Sequence, residues 1–264
     1  MTSFNLKKTA LASAVFLGLT GMAHADPILW VSGAGGSIDT VDVATGVRTA
    51  VGNTGVGFMT DLAFSPTGEL YGTSFTDLYK INTLTGAATL IGSTGRFSNA
   101  LVFGADGTLY AQDYGGGTLF KINTTTGAGT VIGSNGYVSS GDLAFIGSDL
   151  YLSAQSGPND VLVKLDPLTG AGTLVGDIGY GAVFGLATPD NINLYGLSGN
   201  NILNVNPLTG VGTLSTTMTP PDYEAYGTTF FREAGAVPEP ESLGLILLGM
   251  LATTTALRRR RQSV

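Results

Sequence analysis

Cysteine is absent from all 264 residues, and the one histidine, His24, lies among the first 25. Downstream of that segment the chain has no Ser-His-Asp or Cys-His catalytic set, no thiolate or imidazole zinc site and no disulfide framework. Carboxylate, hydroxyl, amide and occasional lysine chemistry is what remains. Basic side chains are scarce as well. Between Asp26 and Ser242, six of them (Arg48, Lys80, Arg96, Lys121, Lys164, Arg232) stand against nineteen acidic ones, a formal −13 where the whole chain carries −7. A stretch this acidic is repelled by nucleic acid and by anionic lipid, which argues against both as its partners, and the same charge keeps a protein soluble outside a cell.

The two ends differ from the middle. Residues 1–25 have the layout of a secretory signal: Lys7 and Lys8, an apolar run from Ala10 to Met22, then Ala23-His24-Ala25. Small side chains at Ala23 and Ala25 suit a signal peptidase pocket, so cleavage is expected after Ala25 and the mature chain starts at Asp26. The apolar run is short for a retained membrane helix. At the other end come Val237-Pro238-Glu239-Pro240-Glu241, an apolar segment from Leu243 to Leu257, and Arg258, Arg259, Arg260 and Arg261. Fifteen residues of helix reach roughly 22 Å, short of a bilayer core of about 30 Å. Such a segment inserts marginally, with the arginines held on the cytoplasmic side and the rest of the chain outside.

The order and terminal position of these three parts resemble the PEP-CTERM sorting signal of Gram-negative bacteria. That resemblance implies an exosortase-type membrane transpeptidase cutting near Pro238-Glu239-Pro240, an inner-membrane anchor that is transient, and a product at the cell surface or outside the cell. It also implies association with exopolysaccharide and biofilm matrix. An ordinary C-terminal anchor is the alternative for the tail. The expected layout is a signal peptide over 1–25, one domain over 26–235 and the sorting signal over 236–264.

The domain itself is periodic. A Thr-Gly pair recurs at Thr45-Gly46, Thr85-Gly86, Thr126-Gly127, Thr169-Gly170 and Thr209-Gly210, at spacings of 40, 41, 43 and 40 residues. Within each unit, side chains alternate with period two, which predicts strands. Residues 61–95 show four of them, around DLAF, ELYGTS, DLYKIN and AATLIG. An aromatic marks the second strand each time: Trp30, Tyr71, Tyr110, Tyr151 and Tyr195. Asp42, Asn82, Asn123, Asp166 and Asn206 open the last turn of each unit, where a short polar side chain caps backbone N–H groups and the following glycine takes positive φ. Repeated four-stranded units of about 40 residues predict an all-β fold, a five-bladed β-propeller of antiparallel blades. The first unit lacks an opening strand and residues 224–231, EAYGTTFF, supply one, so the C-terminal strand is expected to close the ring; an open β-solenoid would leave that split unexplained.

In such a fold the first strand of each unit lines the axis. Asp61, Ala100, Asp142, Gly185 and Gly227 fall at one equivalent position, so two carboxylates converge, with Glu224 a third if the alignment shifts. Three readings follow: structural carboxylates bonded to backbone amides, oxygen ligands for a channel calcium, or the catalytic carboxylates of a carbohydrate-active or calcium-dependent hydrolase. Face loops 114–117 and 155–160, with Tyr114, Tyr137 and Tyr180 near them, offer contacts to a ligand such as a sugar. Without a convergent acidic cluster the sequence favours a non-enzymatic binding or scaffold module over the hydrolase.

Overall fold

The computed structural model describes residues 27–221 and 224–231, and the segments expected to be the signal peptide and the sorting tail lie outside them. Nineteen strands among the described residues carry almost all the regular structure. The first sheet holds β1 (Ile28–Gly33), β2 (Ser37–Asp42) and β3 (Arg48–Asn53). A seven-stranded sheet follows: β4 (Asp61–Phe64), β5 (Leu70–Thr73), β6 (Phe75–Ile81), β7 (Ala88–Phe103), β8 (Leu109–Asp113), β9 (Thr118–Ile122) and β10 (Gly129–Ser134). Next come β11 (Ser139–Ile146), β12 (Asp149–Ser156), β13 (Asn159–Leu165) and β14 (Gly172–Asp177), then β15 (Val183–Ala187), β16 (Leu194–Ser198), β17 (Asn201–Val205) and β18 (Gly212–Thr217). Strand β19 (Ala225–Phe230) pairs antiparallel with β1, in the register Leu29 to Phe230, and makes the first sheet four-stranded.

The seven-stranded sheet departs from separate four-stranded units. It arises because β7 runs unbroken for sixteen residues, outermost in one unit and innermost in the next. Local contacts hold that connection straight: Thr94 Oγ1 donates to Thr76 O at 3.0 Å, and Phe97 stacks on Phe75 with centroids 4.3 Å apart.

Innermost strands are the most buried, as at β4 and β11, while outermost strands show the half-exposed pattern of a sheet rim. The innermost strands pack on one another in sequence, β4 on β7, β7 on β11, β11 on β15, β15 on β19 and β19 on β4. Four of the five second-strand aromatics tie neighbouring units, each ring meeting a phenylalanine at the far end of the next innermost strand: Trp30 with Phe64, Tyr71 with Phe103, Tyr110 with Phe145 and Tyr195 with Phe230. Phe231, next to the end of β19, also meets Phe64, and β1 begins at the same end.

The caps at the Thr-Gly turns form as the sequence requires: Asn82 Oδ1 accepts from Leu84 N at 2.8 Å, and Asp42, Asn123, Asp166 and Asn206 do the same in their turns. These turns also make close contacts with the neighbouring unit. A side-chain carbon added to Gly176 in β14 would stand 2.1 Å from the carbonyl oxygen of Thr209, and one on Gly92 in β7 would stand 2.2 Å from that of Thr126. A glycine in the outer strand is thus the surface on which the next turn seats. Gly176→Ala is expected to destabilise the protein by at least about 2 kcal/mol through overpacking against backbone. Gly115→Ala, which meets nothing within 4 Å, is expected to be close to neutral. Urea midpoints of the two variants check this, and equal midpoints would remove the seating role.

Candidate functional site

Each innermost strand enters the axis with one residue and places the next one deeper. Asp61 and Asp142 lie in the deeper layer, on β4 and β11, and both are 0% exposed. Their surroundings consist of donors. Asp61 accepts from Leu62 N at 2.8 Å, Leu101 N at 2.5 Å and Thr228 N at 3.2 Å. Asp142 accepts from Leu143 N at 2.6 Å, Leu186 N at 2.7 Å and Thr228 Oγ1 at 3.1 Å. The two carboxyl groups are neighbours, each influencing the other's protonation. Two adjacent carboxylates cannot both ionise out of water, so one proton is held between them. Burial pushes Asp142 up to about 8, and burial with the neighbouring Asp142 charge pushes Asp61 well above the usual carboxylate range. The three other innermost strands are drawn in through these bonds: β7, β15 and β19 donate backbone or hydroxyl groups to the pair on β4 and β11.

Glycines make the layer possible. A side-chain carbon at Gly227 would lie 2.1 Å from Asp61 Cα, and one at Gly185 would lie 2.5 Å from Thr228. The pair therefore fills the axis, and no substrate reaches it. Glu224 does not join it: its exposed carboxylate accepts the Tyr226 hydroxyl at 3.0 Å. Asp61 and Asp142 are thus brought together without Glu224, whereas general acid–base chemistry needs the reacting group within hydrogen-bond reach. Calcium fits no better. It requires six to eight oxygen ligands, whereas these oxygens already face N–H and O–H donors and a shared proton. Among the described residues, no group of three or more acidic or histidine side chains converges.

One residue earlier on each innermost strand, the layer becomes a mouth. Thr60, Asn99, Gly141, Phe184 and Tyr226 occupy that position on the five strands or just before them, and all five line a cavity of about 280 Å³. An aromatic crescent borders most of it. Phe184 stacks on Tyr226, Tyr226 meets Phe58 at 4.4 Å, Phe58 lies parallel to Phe75 at 5.5 Å, and Phe97 and Tyr114 continue the series from Phe75. Phe97 is 49% exposed and Tyr114 41%. Phe75 takes φ of 58°, which a bulky aromatic rarely adopts, and the rings on both its faces hold it there.

The remaining arc is polar and uncharged: Asn99, Ser140 and Gln155. Asn99, 6% exposed, donates through Nδ2 to Ser140 O at 3.2 Å, and its Oδ1 has no partner. Beneath, buried Asp160 accepts from Ser140 Oγ at 2.5 Å and Val183 N at 2.7 Å, and burial raises its pKa. Of the face residues singled out from sequence, Tyr114 and Gln155 line the mouth. Tyr137 and Tyr180 instead pack on the hydrophobic clusters of the neighbouring sheets. Phe58, Phe75, Phe184 and Tyr226 were missed; for Phe184 and Tyr226 the place just before an axial position was the available signal.

Comparison with known proteins bears on the ends and on the fold separately. A family model described as the PEP-CTERM protein-sorting motif matches residues 236–261. The chain carries a PEP-CTERM sorting motif. The motif implies an exported, exosortase-recognised protein held transiently in the membrane. Among solved structures, a chain of the nidogen/laminin complex matches with a TM-score of 0.59 at 13% identity, covering 79% of this chain and 99% of its own. A symmetrical protein from work on its de novo evolutionary emergence matches with a TM-score of 0.51 at 21% identity, covering 76% and 93%. These likenesses concern fold alone, and the fold is of β-propeller type. No curated protein matches the sequence.

Proposed function

We propose that this chain is an exported, five-bladed β-propeller, closed by its C-terminal strand, that acts as a non-enzymatic binding module at the cell envelope or in the surrounding matrix. The layout is a signal peptide over 1–25, the propeller over 26–235 and the sorting signal over 236–264, with signal peptidase and an exosortase as processing partners. Support for closure comes from the pairing of β19 with β1 and from the cyclic packing of β4, β7, β11, β15 and β19.

The observation that carries the binding reading is the pairing of two layers. An aromatic, uncharged mouth opens to solvent directly above carboxyl groups whose oxygens are all engaged. Reactive groups are sealed and contact surface is presented, which is the arrangement of a receptor rather than of a hydrolase. Exported position follows from the sorting motif.

Mass spectrometry of protein recovered from the host, with and without the exosortase, tests this together with fractionation of membrane, matrix and cleared medium. A species running from Asp26 to near Pro240 is expected, retained in the matrix or on the cell surface and lost without the exosortase. An intact tail ending at Val264 in both strains would overturn the processing. Release of all the protein into cleared medium would overturn the binding role.

A further inference from the structure

The mouth is asymmetric, and its asymmetry specifies a ligand. One side is the crescent from Phe184 through Phe58 to Tyr114, and the other is the arc of Asn99, Ser140 and Gln155. No charged side chain lines the cavity. A carboxylate or phosphate would find no cation there and would approach a domain, residues 26–235, of formal charge −11 (six basic and seventeen acidic side chains) against its field. An inorganic cation would find no carboxylate within the lining, and a quaternary ammonium group, which ring faces attract, would bring no donor for Asn99 Oδ1. The ligand is therefore neutral.

Size and polarity narrow it further. About 280 Å³ lies at the small end of the range for ligand pockets, enough for one ring. Aromatic edges and faces favour C–H groups, since the ring quadrupole attracts weakly positive hydrogen. A fully apolar ring would leave the polar arc without partners, including the buried Asn99 Oδ1, which needs a donor. Hydroxyl groups supply both donor and acceptor: a donor for Asn99 Oδ1 and an acceptor or donor for Gln155. A molecule with a C–H face and a rim of hydroxyls is a sugar in its ring form.

We propose that the mouth binds a single uncharged sugar ring, its C–H face against the aromatic crescent and its hydroxyls on Asn99, Ser140 and Gln155. The assignment rests on the reading of this face as a binding site and adds the class of ligand. The ring is either a free monosaccharide or the end of a polysaccharide, which share this chemistry.

Saturation-transfer NMR on the mature protein recovered from its host tests the assignment, because it reads the ligand's own protons. Probes are a panel of neutral hexoses and N-acetylhexosamines, their linear oligomers, glucuronate as the charged counterpart and phenol as an apolar ring. Transfer to ring C–H protons of at least one neutral sugar is expected, with none to glucuronate. Tyr114→Ala and Gln155→Ala, both at exposed positions on opposite arcs, should each weaken binding at least tenfold, and Leu84→Ala on a distant outer turn should leave it unchanged. Equal response to monomer and oligomer assigns a free sugar, and a stronger response to the oligomer assigns a chain end; either supports the proposal. Transfer to phenol alone, lost in Tyr114→Ala, would overturn the sugar class while keeping the mouth as a binding site. Sugar binding indifferent to both mouth variants, or silence with every probe, would overturn the site itself.

Discussion

Asp61→Ala is expected to lower the stability of the protein by at least about 3 kcal/mol, the largest single-residue effect anticipated here. Three backbone N–H groups, of Leu62, Leu101 and Thr228, lose their acceptor at once, in a place from which water is excluded. Each unsatisfied buried donor costs roughly 1–3 kcal/mol, and Asp142 is left without its carboxyl partner. Those donors belong to three different innermost strands, so the loss is shared across the axis and not confined to β4. Asp61→Asn keeps the volume but turns an amide NH2 toward a backbone N–H, where a protonated carboxyl oxygen both accepts and donates. It should therefore fall between alanine and wild type. Urea unfolding of the three proteins measures the order, and a wild-type midpoint in Asp61→Ala would sink the structural role given to the pair.

Stability is also expected to fall as the pH rises from about 4 to about 8. An unfolded aspartate has a pKa near 3.9, whereas burial raises Asp61, Asp142 and Asp160 in the folded protein, Asp142 to about 8. Between those values the folded state binds more protons than the unfolded one, and unfolding becomes easier with increasing pH. The contribution is complete below the unfolded pKa and is lost as pH passes through the folded one. Each excess proton contributes about 1.4 kcal/mol per pH unit. At the acid end the opposite sign operates. Lys80 beside Glu69, and backbone N–H groups at Asp106 and Asp166, lower those carboxyl pKa values, so their contributions disappear below about pH 4. An optimum on the acid side of neutrality results. Denaturation midpoints at pH 5, 6.5 and 8 test this, with Asp142→Asn expected to flatten the slope. A wild-type protein as stable at pH 8 as at pH 5 would refute the shared proton.

Periodicity made much of this architecture legible beforehand. Thr-Gly pairs at 40-residue intervals, one aromatic per second strand and the split first unit together anticipated the four-stranded sheets and the placement of residues 225–230 beside β1. Asp61 and Asp142 were likewise matched by position, because alignment of repeats identifies which side chains share a level. What alignment does not convey is burial. Whether two axial acids face solvent or N–H groups depends on how tightly Gly185 and Gly227 let neighbouring strands approach, a three-body property of packing. The mouth was harder still to foresee. The aromatics there recur in two units at most: Phe75 and Tyr114 share one position of adjacent units, and Phe184 and Tyr226 share another, so a search for residues common to all five passes over them. Their meeting follows from the packing of the innermost strands on one another, which brings together the parts of the repeats that differ.

The positions of Ile28 and Phe231 give the molecule a direction. Both lie at the end of β1 and β19 remote from Tyr226, and the sorting motif starts at residue 236, five positions beyond Phe231. Leu243, where the apolar segment begins, is twelve residues beyond Phe231, at most roughly 43 Å of chain, so an anchor there would attach the propeller by its base and leave the aromatic rim at the free end. On the proposed processing and binding, severing the tether would change where the protein travels but not what it presents, and an anchored copy and a liberated one would compete for the same ligand on equal terms.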